Sequence, residues 1–305
     1  MKSDRIDRAR GCLLGLAIGD AIGTTVEFMP RGSFPPMTDI IGGGPFRLKA
    51  GEWTDDTSMA LCLGASLLEN DFDLHDQISR YVRWYRQGYM SSTGCCFDIG
   101  NATREALESF ELDGNPEAGS TNPRSAGNGC IMRLAPVPIR FVNEPEKAVW
   151  LSAGQSKTTH GALECLEASQ FFGGILVRAL QGRFTREQVL VPEQRLTKQI
   201  SSSRLRRIAA GEYFAYSREQ IRGSGYVVDS LEAALWCFYT TDSFSDAVLA
   251  AANLGDDADT TAAITGQVAG AYYGETAIPR HWLDTVVMGE EIGEMAERLL
   301  QAGER

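Results

Sequence analysis

Glycine placed repeatedly inside helical segments is the feature that most restricts how this chain can fold. Residues 5–21, RIDRARGCLLGLAIGDA, keep a helical pattern while carrying Gly11, Gly15, Ala17 and Gly19. A glycine within a helix costs about 0.5–1 kcal/mol relative to alanine. A helix with several of them recovers that cost only where its backbone is buried and closely approached by a neighbour. Residues 260–273, TTAAITGQVAGAYY, have the same character. Both segments are therefore expected to be deeply buried helices.

Helical spacing continues elsewhere. Phe72, Leu74, Ile78, Tyr81, Val82 and Tyr85 recur near the helical period, and residues 145–154 and 161–181 read as helices. A further helix starts at Ser243, with Asp246 three residues on as a capping pair and Gly255 as a stop. Another precedes the C-terminus. Neither strand-like alternation nor the period of a repeat protein is found. The expected fold class is all-α, a compact single domain over residues 1–305. Two long irregular stretches, 30–53 and 111–130, lead into helix starts, as functional loops do. Residues 183–225 are polar and basic and read as a surface excursion.

Composition sets the outer bounds. Of 305 residues, 43% are hydrophobic and 23% charged, which is globular. A formal charge of −11 argues against general nucleic-acid binding, which needs a basic surface. It leaves room for an anionic small ligand. Seven cysteines without a CxxC pair argue against a disulfide framework or zinc finger and fit reduced thiols in a cytoplasmic protein. Asp4 and Asp7 break any signal-like start and Asp20 interrupts the apolar run, so neither a signal peptide nor a membrane span is expected.

The chemistry lies in two acidic clusters: Thr54-Asp55-Asp56-Thr57, and Asp256-Asp257-Ala258-Asp259-Thr260-Thr261 two hundred residues later. Each stands at the start of a helical segment. The residues alone leave two readings open. One is helix capping, with Thr54 as N-cap and each carboxylate worth about 0.3–1 kcal/mol at the helix dipole. The other is a shared metal site. Carboxylate and hydroxyl oxygens are hard donors suited to Mg²⁺, Mn²⁺ or Ca²⁺, and only three histidines are present for softer metals. Two clusters meeting in space would supply enough oxygens for two cations and a hydrolytic reaction.

These residues also carry a resemblance. The stretches GCLLGLAIGDAIGTTVEF (11–28), GGGPFRLKAGEWTDDT (42–57), DIGNATREAL (98–107), SAGNGCIMRLAPV (125–137), the pair Thr159-His160, and NLGDDADTTAAITGQVAGAYYG (253–274) are together similar to the ADP-ribosylglycohydrolases. The likeness is to the dinitrogenase-reductase-activating type and runs nearly end to end. It implies an orthogonal helical bundle holding two Mg²⁺ or Mn²⁺ ions. It also implies removal of ADP-ribose from modified side chains, often arginine. Thr54, Asp55 and Asp56 match one half of the metal site; Asp257, Asp259 and Thr260 match the other, with Asp259 as bridge. Glu27 matches an acidic gate residue touching water at the metals. Asp98 matches an acidic residue near the scissile bond. Glu27 and Asp55 are candidates to take a proton, and Asp98 to hold the leaving group. Asp20 is expected to orient the site through hydrogen bonds.

Asn128, with Gly127 and Gly129, is expected to offer backbone N–H groups to the diphosphate or distal ribose, and His160 to line the ligand site. Gly42–Gly44 would shape the cleft wall, and Tyr213 or Tyr216 would offer a face to adenine. The implied partners are an ADP-ribosylated protein, ADP-ribose and a cognate ADP-ribosyltransferase. Two other readings are weighed. The same centre can act on ADP-ribose linked to serine or a nucleic-acid base. A non-catalytic ADP-ribose binder or immunity protein would act by occupancy; occlusion favours an added segment able to reach the partner, against about ten residues here before the first glycine-rich turn. A structural relative would have lost the metal carboxylates, which this sequence keeps.

Overall fold

The computed structural model describes residues 2–191 and 200–304. Among them the fold is all-α, with three isolated β-bridges and no sheet. The first helix, α1 (Lys2–Gly23), is followed by α2 (Asp55–Glu69), α3 (Leu74–Gln87), α4 (Asn101–Asp113) and the short α5 (Gly129–Met132) and α6 (Pro136–Arg140). Then come α7 (Pro145–Ser156), α8 (Leu163–Gln181), α9 (Arg186–Leu190), α10 (Ser203–Ala209), α11 (Val227–Tyr239) and α12 (Phe244–Ala252). The chain finishes with α13 (Ala258–Tyr273), α14 (Arg280–Thr285) and α15 (Gly289–Ala302). Buried apolar side chains form one cluster from Ala9 to Leu300.

The glycine-rich helices α1 and α13 form the centre, and they pack on each other antiparallel. Gly11 faces Gly270, Gly15 faces Gly266, Gly19 faces Ala262 and Gly23 faces Ala258. A Cβ added at any of these α1 glycines would collide with the carbonyl oxygen opposite. The glycines thus remove side chains where two backbones touch, which accounts for their spacing of four. The antiparallel arrangement has a functional result. It brings the C-terminal end of α1, with Asp20 and the turn to Glu27, beside the N-terminal end of α13, with Asp259 and Thr260.

Helix α2 joins this corner through Asp20. Its carboxylate accepts from the N–H and hydroxyl of Thr54, at 2.9 Å each, and from the N–H and hydroxyl of Thr57, at 3.1 and 2.6 Å. Thr54 therefore stands at the N-cap position without capping through its own side chain. The cap of α2 is an aspartate borrowed from α1. By contrast Ser243 does cap α12, accepting from the N–H of Asp246 at 3.1 Å.

Residues 183–225 are more than a surface excursion. Val189, Leu190, Leu205, Ile208, Tyr213 and Ile221 are buried, and Arg178 donates to the carbonyl of Val189. Arginines and serines between the apolar positions hide this pattern in the sequence. Residues 192–199 of that stretch lie outside the described residues. The seven cysteines are free thiols, and no helix among the described residues is long and apolar enough to cross a membrane.

Candidate active site

At the end of the α1–α13 pair opens a cleft of about 800 Å³. Glu27, Asp55, Asp98, Asp257, Asp259 and Thr260 line it on one side. Gly127, Asn128, Gly129 and His160 line it on another. Thr54 and Asp56 are fully buried just behind, and the hydroxyls of Thr54 and Thr260 lie 3.4 and 3.3 Å from Oδ2 of Asp56. The two acidic clusters, far apart in sequence, thus share one floor.

Several elements converge to make that floor. The loop carrying Glu27 is clipped to the loop carrying Asp257 by two backbone bonds: Phe28 N–H donates to the Asp256 carbonyl at 2.7 Å, and Asp256 N–H to the Met29 carbonyl at 2.8 Å. Phe28, Asp98 and Asp256 all line the cleft in the left-handed backbone region, with φ of 63°, 58° and 57°. That conformation is uncommon outside glycine and persists where the surroundings enforce it.

Carboxylate oxygens of Asp20, Asp56 and Asp259 lie within 4.8 Å of one another, and so do those of Glu27, Asp98 and Asp259. Asp259 belongs to both groups. Oε2 of Glu27, Oδ1 of Asp56 and Oδ1 of Asp259 are buried without a hydrogen-bond partner. Asp257 is better served, accepting from Nδ2 of Asn128 at 2.7 Å. Burial, reinforced by the neighbouring negative charges, pushes the carboxyls up: Glu27 to about 9, Asp98 to about 7, and Asp55, Asp56 and Asp259 well above the usual range. Asp20 rises to about 6 through burial, held back by its threonine donors. So many carboxylates cannot remain ionised together unless positive charge is supplied. Unpartnered oxygens on three neighbouring carboxyls are what a hard cation would fill.

The ligand side differs from expectation in two respects. Gly127 and Asn128 do not form a donor nest, because their N–H groups are already given to the carbonyls of Ser125 (2.8 Å) and Gly225 (3.1 Å). Gly127 and Gly129 instead leave room for the His160 ring. A Cβ at Gly129 would stand 2.6 Å from its Cε1, and one at Gly127 3.2 Å from its Nε2. Nor does either tyrosine reach the cleft. Tyr213 is fully buried against Phe214, and the Tyr216 hydroxyl accepts from Arg207 at 2.7 Å. Gly44 packs against the backbone of Thr24, so the glycine run supports the Glu27 turn from outside.

Ser224 and Gly225 also line the cleft, as do Ile99–Thr103 at the start of α4. Sequence reading missed the first pair. The available signal was Gly223-Ser224-Gly225 before the start of α11. Gly223 accepts from Asp257 N–H at 3.1 Å, where a Cβ would meet the Thr261 hydroxyl.

Comparison with known proteins agrees with this geometry. The family model described as ADP-ribosylglycohydrolase matches residues 1–305. The chain belongs to the ADP-ribosylglycohydrolase family. Its relatives include "ADP-ribosylarginine hydrolase Tri1" of Serratia proteamaculans, 49% identical over 299 residues, covering 98% of this chain and 80% of that protein. The "ADP-ribosyl-[dinitrogen reductase] glycohydrolase" of Rhodospirillum rubrum is 33% identical over 291 residues, covering 93% of this chain and 92% of that protein. A solved structure titled "ADP-ribosylglycohydrolase-related protein complex" superimposes with a TM-score of 0.88 at 42% identity, covering 99% of both chains. The chain has acidic residues in both motifs that carried the resemblance.

Proposed function

We propose that the chain is a metal-dependent ADP-ribosylarginine hydrolase, acting through one domain over residues 1–305. It cleaves the glycosidic bond between the ribose anomeric carbon and a modified arginine of a protein. The observation that carries this is the buried Asp259, shared between two groups of carboxylates on the floor of the cleft, with its Oδ1 unpartnered. Thr54, Asp55 and Asp56 from one cluster, and Asp257, Asp259 and Thr260 from the other, would hold two Mg²⁺ or Mn²⁺ ions. Such ions supply Lewis-acid charge that orients hydroxyl oxygens and lowers the pKa of water.

The chain's own residues do the rest. Glu27 Oε2, buried and unpartnered, receives the proton of the attacking water, with Asp55 beside it as the second candidate. Asp98 faces the cleft from its left-handed turn and accepts from the departing guanidinium. A carboxylate matches the planar donor fork of arginine, which favours arginine over serine as acceptor. The 49% identical relative named for ADP-ribosylarginine supports the same choice. His160, Asn128, Gly127 and Gly129 form the wall that receives the rest of ADP-ribose. An ADP-ribosyltransferase must supply the substrate. The free thiols fit a reducing, cytoplasmic setting.

The test is release of ADP-ribose from ADP-ribosylated arginine, serine and nucleic-acid base substrates, each with Mg²⁺, Mn²⁺ or EDTA. Cation-dependent release from arginine is expected. Release from another acceptor alone would replace the arginine assignment. Release unaffected by EDTA would remove the metal assignment, and binding of ADP-ribose without any release would leave a binding protein.

A further inference from the structure

Among its lining residues the cleft has carboxylates but neither arginine nor lysine. Away from the proposed ions, the lining side chains that can donate to an anionic ligand such as ADP-ribose are therefore neutral ones. His160 is one of the side chains that can serve, and its proton has to be on the right nitrogen to do so. Directly behind it lies Arg133, fully buried. The guanidinium gives its protons to neutral acceptors: Gln155 Oε1 at 3.1 Å, the Gln155 carbonyl at 3.3 Å, Thr158 Oγ1 at 3.2 Å, Thr159 Oγ1 at 2.8 Å and Met59 Sδ at 3.7 Å. Its face rests over the Tyr81 ring at 4.7 Å. Among the described residues no carboxylate pairs with it; a buried cation so placed is costly to keep, and its placement calls for a reason.

We infer that Arg133, acting through Thr159, holds His160 as the neutral imidazole with its proton on Nε2, a hydrogen-bond donor aimed at an oxygen of the bound ADP-ribose. The inference rests on the functional reading above for the identity of that ligand. The proton count is decisive. Thr159 Oγ1 lies 2.8 Å from Nδ1 of His160 and is itself fully buried. One of its lone pairs is taken by Arg133. Among the described residues, Nδ1 is the acceptor within reach of its hydroxyl proton. If Nδ1 carried hydrogen instead, that hydroxyl proton would be left buried without a partner. Thr159 therefore donates to Nδ1, and Nε2 carries the hydrogen.

The ring cannot rotate out of this arrangement. Gly127 and Gly129 close on its Nε2 and Cε1, and its backbone is fixed by Ser156, whose Oγ donates to the His160 carbonyl at 2.7 Å and whose carbonyl accepts from His160 N–H. Burial and the Arg133 charge hold the ring's pKa down, to about 3, which keeps it neutral. His160 is thereby a donor, not a general base, and Arg133 and Thr159 are positioning residues that do not touch the ligand.

The experiment is nitrogen NMR of ¹⁵N-histidine-labelled, Mg²⁺-loaded protein, with His160 assigned by its loss in His160→Gln. Hydrogen on Nε2 and none on Nδ1, unchanged from pH 5 to 9, is expected. Hydrogen on Nδ1, or a charged ring at neutral pH, would overturn the inference. Calorimetry with ADP-ribose supplies a second readout. Thr159→Val should weaken binding about tenfold, the loss of one oriented hydrogen bond, and Thr159→Ser should restore it. Unchanged affinity in folded Thr159→Val would also overturn it. If wild-type protein bound no ADP-ribose, the functional reading would fail instead, and the tautomer alone would decide the relay.

Discussion

The α1–α13 contact and the acidic floor at its end are separated by only a few residues, yet they act on stability in opposite ways. Along the contact, glycines and alanines let two backbones meet directly. At the floor, Asp20, Glu27, Asp56 and Asp259 are buried close together, three of them with an oxygen that nothing among the described residues satisfies. The first region is finished by the polypeptide alone. The second is finished only by something added, a proton or a cation. The floor persists because the contact holds α1 and α13 in place whatever the carboxylates prefer.

The sharpest way to break this comparison is Asp259→Ala. Losing the aspartate common to both groups should lower turnover by about 10³-fold or more, the worth of several kcal/mol of metal assistance. Metal content should fall with it. In EDTA the same variant should melt no lower than wild type, because a buried unpartnered carboxyl has been removed. Full metal content and activity would show the shared aspartate to be misassigned. Gly266→Ala probes the other region. Its new methyl collides with the Gly15 carbonyl, a rigid neighbour, so stability should fall by about 3 kcal/mol. Denaturant unfolding reads this directly, and a loss under about 1 kcal/mol would mean the helix pair yields more easily than its packing indicates.

The contrast also explains what could be read in advance. The glycine spacing announced a close helix contact, because each absent side chain has few other uses inside a helix. TDDT and GDDADTT left helix capping and a shared cation site both open by residue type, and the fold brings the two clusters onto one floor. Asp20 was expected to orient the site, but its capping of α2 in place of Thr54 depends on two helices meeting, which no local pattern records. Gly127 and Gly129 were legible as special and misread in kind. Both make room for a ring from another helix connection, and the Gly127 N–H is spent on the Ser125 carbonyl. The GSG at 223–225 was passed over because the polar stretch before it masked the buried positions among its arginines.

Asp20→Asn tests the join between the two regions. Asparagine keeps the shape but turns one acceptor oxygen into a donor, facing the N–H of Thr57 or of Thr54. Metal affinity should fall about 10–100-fold, as when the partner orienting a ligand is lost. Titration with Mn²⁺ measures it, and an unchanged affinity would mean that α2 holds Asp55 and Asp56 without help from α1.

The smallest expected effect is on the pH dependence of stability in EDTA. Burial raises the carboxyls of Asp20, Asp98 and Glu27 to about 6, about 7 and about 9. Between an ordinary carboxyl value of about 4 and these values, the folded protein holds protons that the unfolded chain has released. Stability is then greatest below about pH 4 as far as these groups are concerned, and falls as pH rises through that window. The Tm of metal-free protein should drop by several °C from pH 5 to pH 8, less than three independent groups would give because these neighbouring carboxyls titrate together. Mg²⁺ or Mn²⁺ should weaken or reverse the slope, because ligands bind cations in their deprotonated form. Gly266→Ala should start from a lower Tm and keep the slope, whereas Asp259→Ala should flatten it. A flat or rising Tm for wild type in EDTA would mean that the floor is relieved by some group of the chain itself, and the contrast between the two regions would dissolve.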